Sequence, residues 1–138
     1  MGFDVEKSKK VPEVSVEPPG PESRKLNELR ERNVPKAVYF THSIFVKRAK
    51  GAIVEDVDGN TYIDFSSGIA VLNVGHCPQE VVEAIKSQAE RLIHTCAHVA
   101  SYEPYDKLAE KLNRIAPGEF QKLSFFTNSG AEAVENAV

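Results

Sequence analysis

The feature that most constrains this chain is the turn between an apolar run at residues 123–126 and an Ala- and Glu-rich run that begins near Gly130. The first run has the composition of a strand and the second that of a helix. Ser129 and Glu132 have the spacing of a capping box, in which each side chain binds the backbone N–H of the other residue. The pattern predicts a strand, a turn and a helix that starts at Gly130 or Ala131.

A helix start of this kind is also a natural seat for an anion. The free N–H groups of the first turn and the positive end of the helix dipole favour a phosphate. Gly130 has no Cβ, so a ligand can approach the backbone closely at that residue. A capping box by itself more often marks only a well-capped helix, and from these residues alone both interpretations stay open.

The size of the chain and the position of this helix bear on domain organisation. The sequence has 138 residues and 41% hydrophobic residues, which is enough for the core of one ordinary domain. A helix that begins near residue 130 has only about two turns before Val138, too few to be stable without tertiary packing. We therefore expect this chain to be the N-terminal part of a longer protein, either as a gene fragment or as a truncated product.

Charge and cysteine content narrow the class of protein. The net charge of −3 gives no basic surface for nucleic acid or an anionic membrane. No apolar run approaches the roughly 20 residues that span a bilayer, and residues 1–10 lack the apolar core of a signal peptide. Cys77 and Cys96 form no disulfide framework and fit a reducing compartment. We expect a cytoplasmic protein without nucleic-acid or membrane partners.

The first half of the chain predicts an arm, a helix and a small sheet. Residues 1–22 are rich in proline and are predicted to be extended or disordered. Residues 22–33 have the pattern of a short amphipathic helix that ends before Pro35. Short β-rich runs separated by glycine turns then predict an antiparallel meander. These runs are residues 44–49, 52–57 and 61–65.

The second half predicts a loop, two helices and a strand. Residues 66–78 are bounded by glycine and are apolar without a clean period, which fits either a buried loop that lines a cavity or a strand with a turn. Residues 79–93 and 104–116 each carry an apolar stripe with helical spacing. The run at residues 122–126 follows them as the predicted strand.

A cluster of histidines and cysteines raises the alternative of a zinc site. His94 and His98 have the H-x-x-x-H spacing seen in zinc proteins. No C-x-x-C pair accompanies them, no glutamate lies between them, and the neighbours His76 and Cys77 would tend to point apart. We predict that these side chains belong to turns, helix ends and the core, and that the chain has no metal site.

Three stretches together resemble the class III pyridoxal-phosphate-dependent aminotransferases, which include 4-aminobutyrate and ornithine aminotransferases. The resemblance covers residues 40–138 and depends on the order and spacing of the stretches. They are V-E-D-V-D-G-N-T-Y-I-D-F at 54–65 with S-G-I-A-V-L-N-V-G-H at 67–76, V-E-A-I-K-S-Q-A at 82–89 running to L-I-H at 92–94, and F-F-T-N-S-G-A-E-A-V-E-N-A at 125–137.

The resemblance implies the α/β fold of the aspartate-aminotransferase type, fold type I. This fold joins an N-terminal segment and a small domain to a large domain with a mostly parallel sheet. On this basis residues 1–22 are the arm, and residues 23–70 are the N-terminal small-domain segment, with the helix and the small antiparallel β meander. Residues 71–138 are the incomplete start of the large domain that binds pyridoxal phosphate, with helices followed by the first strand and helix of that domain.

The resemblance also implies the site residues. Ser129, Gly130 and Ala131 match the turn that holds the phosphate of pyridoxal 5'-phosphate in this family. Ile69 matches a position that lies near the substrate in the 4-aminobutyrate enzymes. The family's Schiff-base lysine, the aspartate at the ring nitrogen and the arginine that binds the substrate carboxylate lie beyond residue 138, so no catalytic residue is assigned here.

The implied activity is transfer of an amino group from an ω-amino acid such as 4-aminobutyrate to a keto acid, 2-oxoglutarate. The family is usually homodimeric, and the full-length protein is expected to be so. This chain alone is expected to be inactive because it lacks the Schiff-base lysine. An ornithine aminotransferase or an amino-acid racemase on the same scaffold stays open, as does a non-catalytic truncated binding module.

Overall fold

The computed structural model describes residues 12–138, and the part of the predicted arm at residues 1–11 lies outside the described residues. The chain divides into two compact units, with the boundary between Ser87 and Gln88. Among the helices of residues 12–138, none is both long enough and apolar enough to cross a membrane.

The first helix, α1, comprises Pro21–Asn33 and confirms the predicted helix to within one residue. Pro21 opens the helix because its ring presets the helical φ and its missing N–H would have no partner in the first turn. Gly20, the residue before it, has no side chain to cap the helix. The helix ends at Val34, whose N–H binds the carbonyl of Arg30.

The predicted meander is present as a three-stranded antiparallel sheet in the order β1-β2-β3. The strands are β1 (Val46–Lys50), β2 (Ile53–Asp56) and β3 (Thr61–Ile63). In the central strand, Val54 lies opposite Ala49 of β1 and Tyr62 of β3. Val54 is 8% exposed and is the only apolar side chain of residues 12–138 that is buried.

The interior of the first unit is instead polar. Asn60 and Asp56 are almost fully buried, and each uses its side chain in several hydrogen bonds. Asn60 Oδ1 accepts the N–H groups of Ser15 and Val16, both at 2.9 Å, while its Nδ2 donates to the carbonyl of Val16 and to Asp56 Oδ2. The β2–β3 turn therefore fixes an extended segment that lies 44 or more residues earlier in the chain.

Two helices of 13 residues each, the same length as α1, follow the sheet. They are α3 (Gln79–Arg91) and α4 (Glu103–Ile115), and both confirm the predicted helices to within two residues. Their apolar stripes are present but largely exposed, as at Ile85 of α3 and at Leu108 and Ile115 of α4.

The predicted strand at residues 122–126 is wrong for this structure. The segment forms no ladder with any strand of residues 12–138, and a strand needs such a partner for its backbone hydrogen bonds. It is held through side chains instead. The rings of Phe126 and Tyr105 meet edge to face at 4.8 Å, and Ser124 Oγ donates to Asn113 Oδ1 at 2.8 Å.

The two interpretations of residues 66–78 are also wrong. The segment contains neither a strand nor a buried loop, but a mostly exposed turn, α2 (Ser67–Ala70), followed by further turns and an isolated β-bridge between His76 and Gly51. The last helix, α5, comprises Gly130–Ala137 and starts where the sequence predicts.

Candidate functional site

The start of α5 contains the predicted capping box. Ser129 Oγ accepts the N–H of Glu132 at 3.2 Å, and Glu132 Oε2 accepts the N–H of Ser129 at 3.1 Å. The same carboxylate oxygen accepts the N–H of Asn128 at 2.8 Å. Because these contacts form between residues close in sequence, the turn has its shape independently of distant parts of the chain.

This capping leaves two specific backbone donors open. A helix start has four N–H groups without an intrahelical acceptor, here those from Ser129 to Glu132. The capping box satisfies the first and the last of them. Within residues 12–138, the N–H groups of Gly130 and Ala131 have no acceptor. The space beside them is open, because a Cβ built on Gly130 would have no atom within 4 Å.

The donor set at this turn fits a phosphate group. Two adjacent amides at the positive end of a helix dipole favour a negatively charged oxygen. The nearby Glu132 carboxylate opposes such a charge, although the turn is exposed and water screens the repulsion. The two open amides therefore fit a phosphate oxygen, and the Glu132 carboxylate weakens that fit.

Ile69 lies in the α2 turn, which has an unusual backbone conformation. Ser67, Gly68, Ile69 and Ala70 all have positive φ, with values of 50°, 64°, 61° and 61°. The left-handed conformation costs roughly 1–2 kcal/mol for each residue with a Cβ, and it is rarest for a β-branched residue such as isoleucine. The Ile69 side chain is 91% exposed, so packing does not offset this cost.

Asp64 binds both ends of the segment that carries this turn. Its Oδ1 accepts the N–H groups of Ser66 and Ser67 at 3.0 and 2.9 Å and the hydroxyl of Ser66 at 2.8 Å. Its Oδ2 lies 2.7 Å from Nε2 of His76, at the other end. The hydrogen bond to His76, followed by those from Ser67 and Ser66, holds the pKa of Asp64 well below its usual range.

His76 is in turn fixed to the β1–β2 turn through its backbone. Its N–H donates to the carbonyl of Gly51 at 2.8 Å, and its carbonyl accepts the N–H of Gly51 at 2.9 Å. The neighbouring Gly75 has a φ of 79°, and a Cβ there would lie 3.1 Å from the carbonyl oxygen of Gly51. Glycine is therefore favoured at position 75, both by the positive φ and by the close approach of the Gly51 carbonyl.

The predicted site residues belong to different units of the chain. Ser129, Gly130 and Ala131 belong to the second unit, and Ile69 belongs to the first. The contact between Asp64 and His76 was not predicted, although both residues stand in the stretches that carry the family resemblance. The signal available was the short spacing between a carboxylate and a histidine across a segment bounded by glycine.

The histidines and cysteines do not form a cluster in this structure. No three His, Cys, Asp or Glu side chains gather into a possible metal site anywhere in residues 12–138. Cys77 and Cys96 are both free and exposed.

Comparison with known proteins decides the family. The family model of the class III aminotransferases matches residues 34–138. The chain belongs to the class III aminotransferases. The 4-aminobutyrate aminotransferase of Mycobacterium tuberculosis H37Rv is 52% identical over 120 residues, which are 87% of this chain and 27% of that enzyme. The GabT 4-aminobutyrate aminotransferase of Escherichia coli is 45% identical over 116 residues, with shares of 84% and 27%.

Solved class III structures confirm the α/β fold of type I. Plasmodium falciparum ornithine δ-aminotransferase matches with a TM-score of 0.73 and 25% identity, over 83% of this chain and 29% of that one. Taurine:2-oxoglutarate aminotransferase of Bifidobacterium kashiwanohense, in complex with PLP and glutamate, matches with a TM-score of 0.72 and 32% identity, over 83% and 26%. Class III aminotransferases depend on pyridoxal phosphate. The chain spans about a quarter of the length of these relatives.

Proposed function

We propose that this chain forms part of an enzyme that transfers the amino group of an ω-amino acid to a keto acid, with pyridoxal phosphate as cofactor. The donor favoured by the relatives is 4-aminobutyrate, since the mycobacterial enzyme of that name is 52% identical. The proposed acceptor is 2-oxoglutarate. When bound, the pyridine ring of the cofactor takes up electrons from the substrate carbon, which is chemistry that no amino-acid side chain offers.

The proposed task of the Ser129–Ala131 turn is to hold the cofactor phosphate. The observation that carries this proposal is that capping leaves open the amides of Gly130 and Ala131, two of the three residues assigned by the resemblance. Ser129 contributes by shaping the turn, because its hydroxyl already binds Glu132.

The proposed task of Ile69 is contact with the substrate. Its exposed apolar side chain suits the methylene groups of an ω-amino acid, which carries its charges at the two ends. We assign residues 1–22 to an arm, whose last two residues, Pro21 and Glu22, already belong to α1. We assign residues 23–70 to the small-domain segment and residues 71–138 to the start of the large domain. We also propose a cytoplasmic location and a homodimer for the complete enzyme.

The isolated chain is proposed to be inactive in transamination. The lysine that forms the Schiff base in this family has no counterpart among its residues, so the amino group has no route through the usual covalent chemistry. Activity therefore has to be tested in a chimera, in which this chain replaces the matching segment of the Mycobacterium tuberculosis enzyme.

The test compares two substitutions at Gly130 in that chimera. Gly130→Pro removes one amide donor but keeps the helix start, since proline is tolerated there and Ser129, at φ −148° and ψ 158°, has the extended conformation required before proline. Gly130→Ala keeps the donor, and Glu135→Gln on the same helix serves as the control. We expect Gly130→Pro to raise the pyridoxal phosphate concentration for half activity more than Gly130→Ala does.

Equal cofactor requirements for all three variants would contradict the phosphate assignment. The parent chimera tests the reaction itself, because absence of transamination with every ω-amino acid would contradict the proposed activity.

A second candidate donor is 5-aminovalerate. The 5-aminovalerate aminotransferase DavT of Pseudomonas putida KT2440 is 48% identical over 113 residues, close to the value for the 4-aminobutyrate enzymes. The values of kcat/KM for 4-aminobutyrate, 5-aminovalerate and ornithine in the chimera distinguish these donors.

A further inference from the structure

Side-chain packing does not explain the left-handed backbone conformation of Ile69. Its φ of 61° and ψ of 60° are disfavoured for a β-branched residue, and its neighbours on both sides share the positive φ. Strained conformations of this kind persist only where the surrounding structure holds them, and they concentrate at ligand sites. With the side chain 91% exposed, the restraint comes from hydrogen bonds, both within the turn, where the N–H of Ile69 donates to the carbonyl of Ser66 at 2.7 Å, and near its two ends.

Asp64 makes the hydrogen bonds at both ends of the turn. Its Oδ1 binds the amides of Ser66 and Ser67, where the left-handed turn begins, and its Oδ2 binds His76, beyond the turn. The β1–β2 turn anchors this arrangement to the sheet. The N–H of Asp64 donates to the carbonyl of Ala52 at 2.8 Å, and His76 exchanges two backbone hydrogen bonds with Gly51.

The side chains of Asp64 and His76 are partly shielded from water. The side chain of Asp64 is 12% exposed and that of His76 is 21% exposed, so the contact is less accessible to water than a typical surface ion pair. Ser67 adds a bond within the turn, from its hydroxyl to the carbonyl of Leu72 at 3.3 Å.

We propose that Asp64 and His76 are a pair of positioning residues that keep Ile69 in its left-handed conformation, and so determine how closely the enzyme packs against the methylene chain of its donor. This inference depends on the proposed function of Ile69 as a substrate contact. The two residues do not themselves touch the substrate. Their effect is on how the apolar side chain of Ile69 is presented, and through it on the length of donor that binds best.

The first test measures the backbone of Ile69 in the 138-residue chain by NMR. The three-bond HN–Hα coupling depends on φ and the Cα chemical shift on both φ and ψ, so the two together report the backbone conformation. In Asp64→Ala we expect both values to leave the left-handed range and the amides of Ser66 and Ser67 to exchange faster with solvent. Asp64→Asn keeps an oxygen that can accept those amides, so we expect Ile69 to keep more of its left-handed conformation in this variant than in Asp64→Ala.

A matched control guards against a general loss of structure. Asp106 accepts the hydroxyl of Ser101 at 3.0 Å in the other unit, so Asp106→Ala removes a comparable exposed carboxylate contact. We expect Asp106→Ala to leave the Ile69 signals unchanged. If Asp64→Ala unfolds, His76→Gln tests the same contact from the other residue. We expect His76→Gln to shift the Ile69 signals in the same direction.

The second test is kinetic and uses the chimera. A positioning role predicts that His76→Gln raises KM for 4-aminobutyrate about tenfold, the effect of losing contact with about one methylene group, while kcat changes little. A purely structural role predicts instead a lower amount of active enzyme with unchanged KM.

The possible results distinguish a failure of the positioning role of Asp64 and His76 from a failure of the proposed aminotransferase function. Left-handed Ile69 signals that persist in both Asp64→Ala and His76→Gln would overturn the inference, whatever the chimera does. Altered Ile69 signals with an unchanged KM would overturn the link to donor binding. A parent chimera that transaminates no ω-amino acid would overturn the proposed function, and with it the claim about donor length.

Discussion

A Cβ placed on Gly20 would lie 2.3 Å from Cγ of Asp58. Asp58 approaches so closely because its carboxylate caps α1 from a distance in sequence. Its Oδ1 accepts the N–H of Glu22 at 2.7 Å, and its Oδ2 accepts the N–H of Ser23 at 3.0 Å. A residue of the β2–β3 turn thereby performs the task that an N-cap side chain usually performs, and Gly20 is small enough to allow it.

Gly20→Ala is expected to destabilise the first unit by about 1–3 kcal/mol, the usual range for an added methyl group in a tightly packed place. The backbone of Gly20 is extended, with φ −72°, so the cost is steric and not conformational. Denaturant unfolding followed by circular dichroism measures the change. Gly130→Ala is the matched control, since the added Cβ meets nothing within 4 Å. Equal unfolding midpoints for the two variants would contradict this account.

Asp58→Ala is expected to uncap α1 without disturbing α5. The amides of Glu22 and Ser23 lose their acceptors, so their hydrogen exchange should accelerate. The amide of Glu132, which is capped locally by Ser129, should keep its exchange rate. Unchanged protection at Glu22 and Ser23 would show that the contact with Asp58 does not hold the helix start in solution.

Asn60→Asp is expected to destabilise the first unit strongly at neutral pH and less at acidic pH. The substitution replaces the Nδ2 donor, 3.0 Å from Asp56 Oδ2, with an acceptor that is negatively charged when ionised. Two buried like charges repel, and the carbonyl of Val16 loses its donor, so a cost of about 3 kcal/mol or more is expected. Protonation of either carboxyl relieves the repulsion, so stability should recover as the pH falls.

The control for this prediction is Asn73→Asp, which adds the same charge at an exposed position. Thermal unfolding at neutral pH and near pH 4 compares the two variants. A loss of stability that is equal at both pH values would contradict the account of a buried charge pair.

Asp64 is expected to give the first unit a stability that depends on pH in the acidic range. Its pKa is lowered in the folded state, mainly by the contact with His76, so the stabilisation is complete above the ordinary carboxyl pKa of about 4. It is lost as the pH falls below that value towards the lower folded pKa. The difference in stability between the parent chain and Asp64→Asn should therefore shrink as the pH falls below about 4. A difference that grows as the pH falls below that value would contradict this sign.

The parts of the structure that the sequence predicted are those fixed by local rules. The capping box at Ser129 and Glu132 was predicted because its partners are three residues apart, and the two long helices because their apolar residues recur with helical spacing. The meander was predicted because its glycine turns separate short β-rich runs.

The parts that were not predicted depend on contacts between distant residues. Nothing near Pro21 indicates that Asp58 caps α1, or that Asn60 fixes the segment at Ser15 and Val16. The left-handed turn at Ile69 contradicts the local preference of isoleucine, and it forms where hydrogen bonds to Asp64 outweigh that preference. The strand at residues 122–126 was predicted from composition, but a strand also needs a neighbour to pair with.

The measurement that tests the central claim most directly is a titration of the chain with pyridoxal phosphate, followed through its backbone amide NMR signals. The account predicts that the amide signals of Gly130 and Ala131 shift together and reach saturation. The amides of Glu22 and Ser23 already donate to Asp58, so their signals should not shift. Gly130→Pro should weaken the response of Ala131. Signals at Gly130 and Ala131 that do not move, or that move no more than those of Glu22 and Ser23, would contradict the assignment of this turn to the cofactor phosphate.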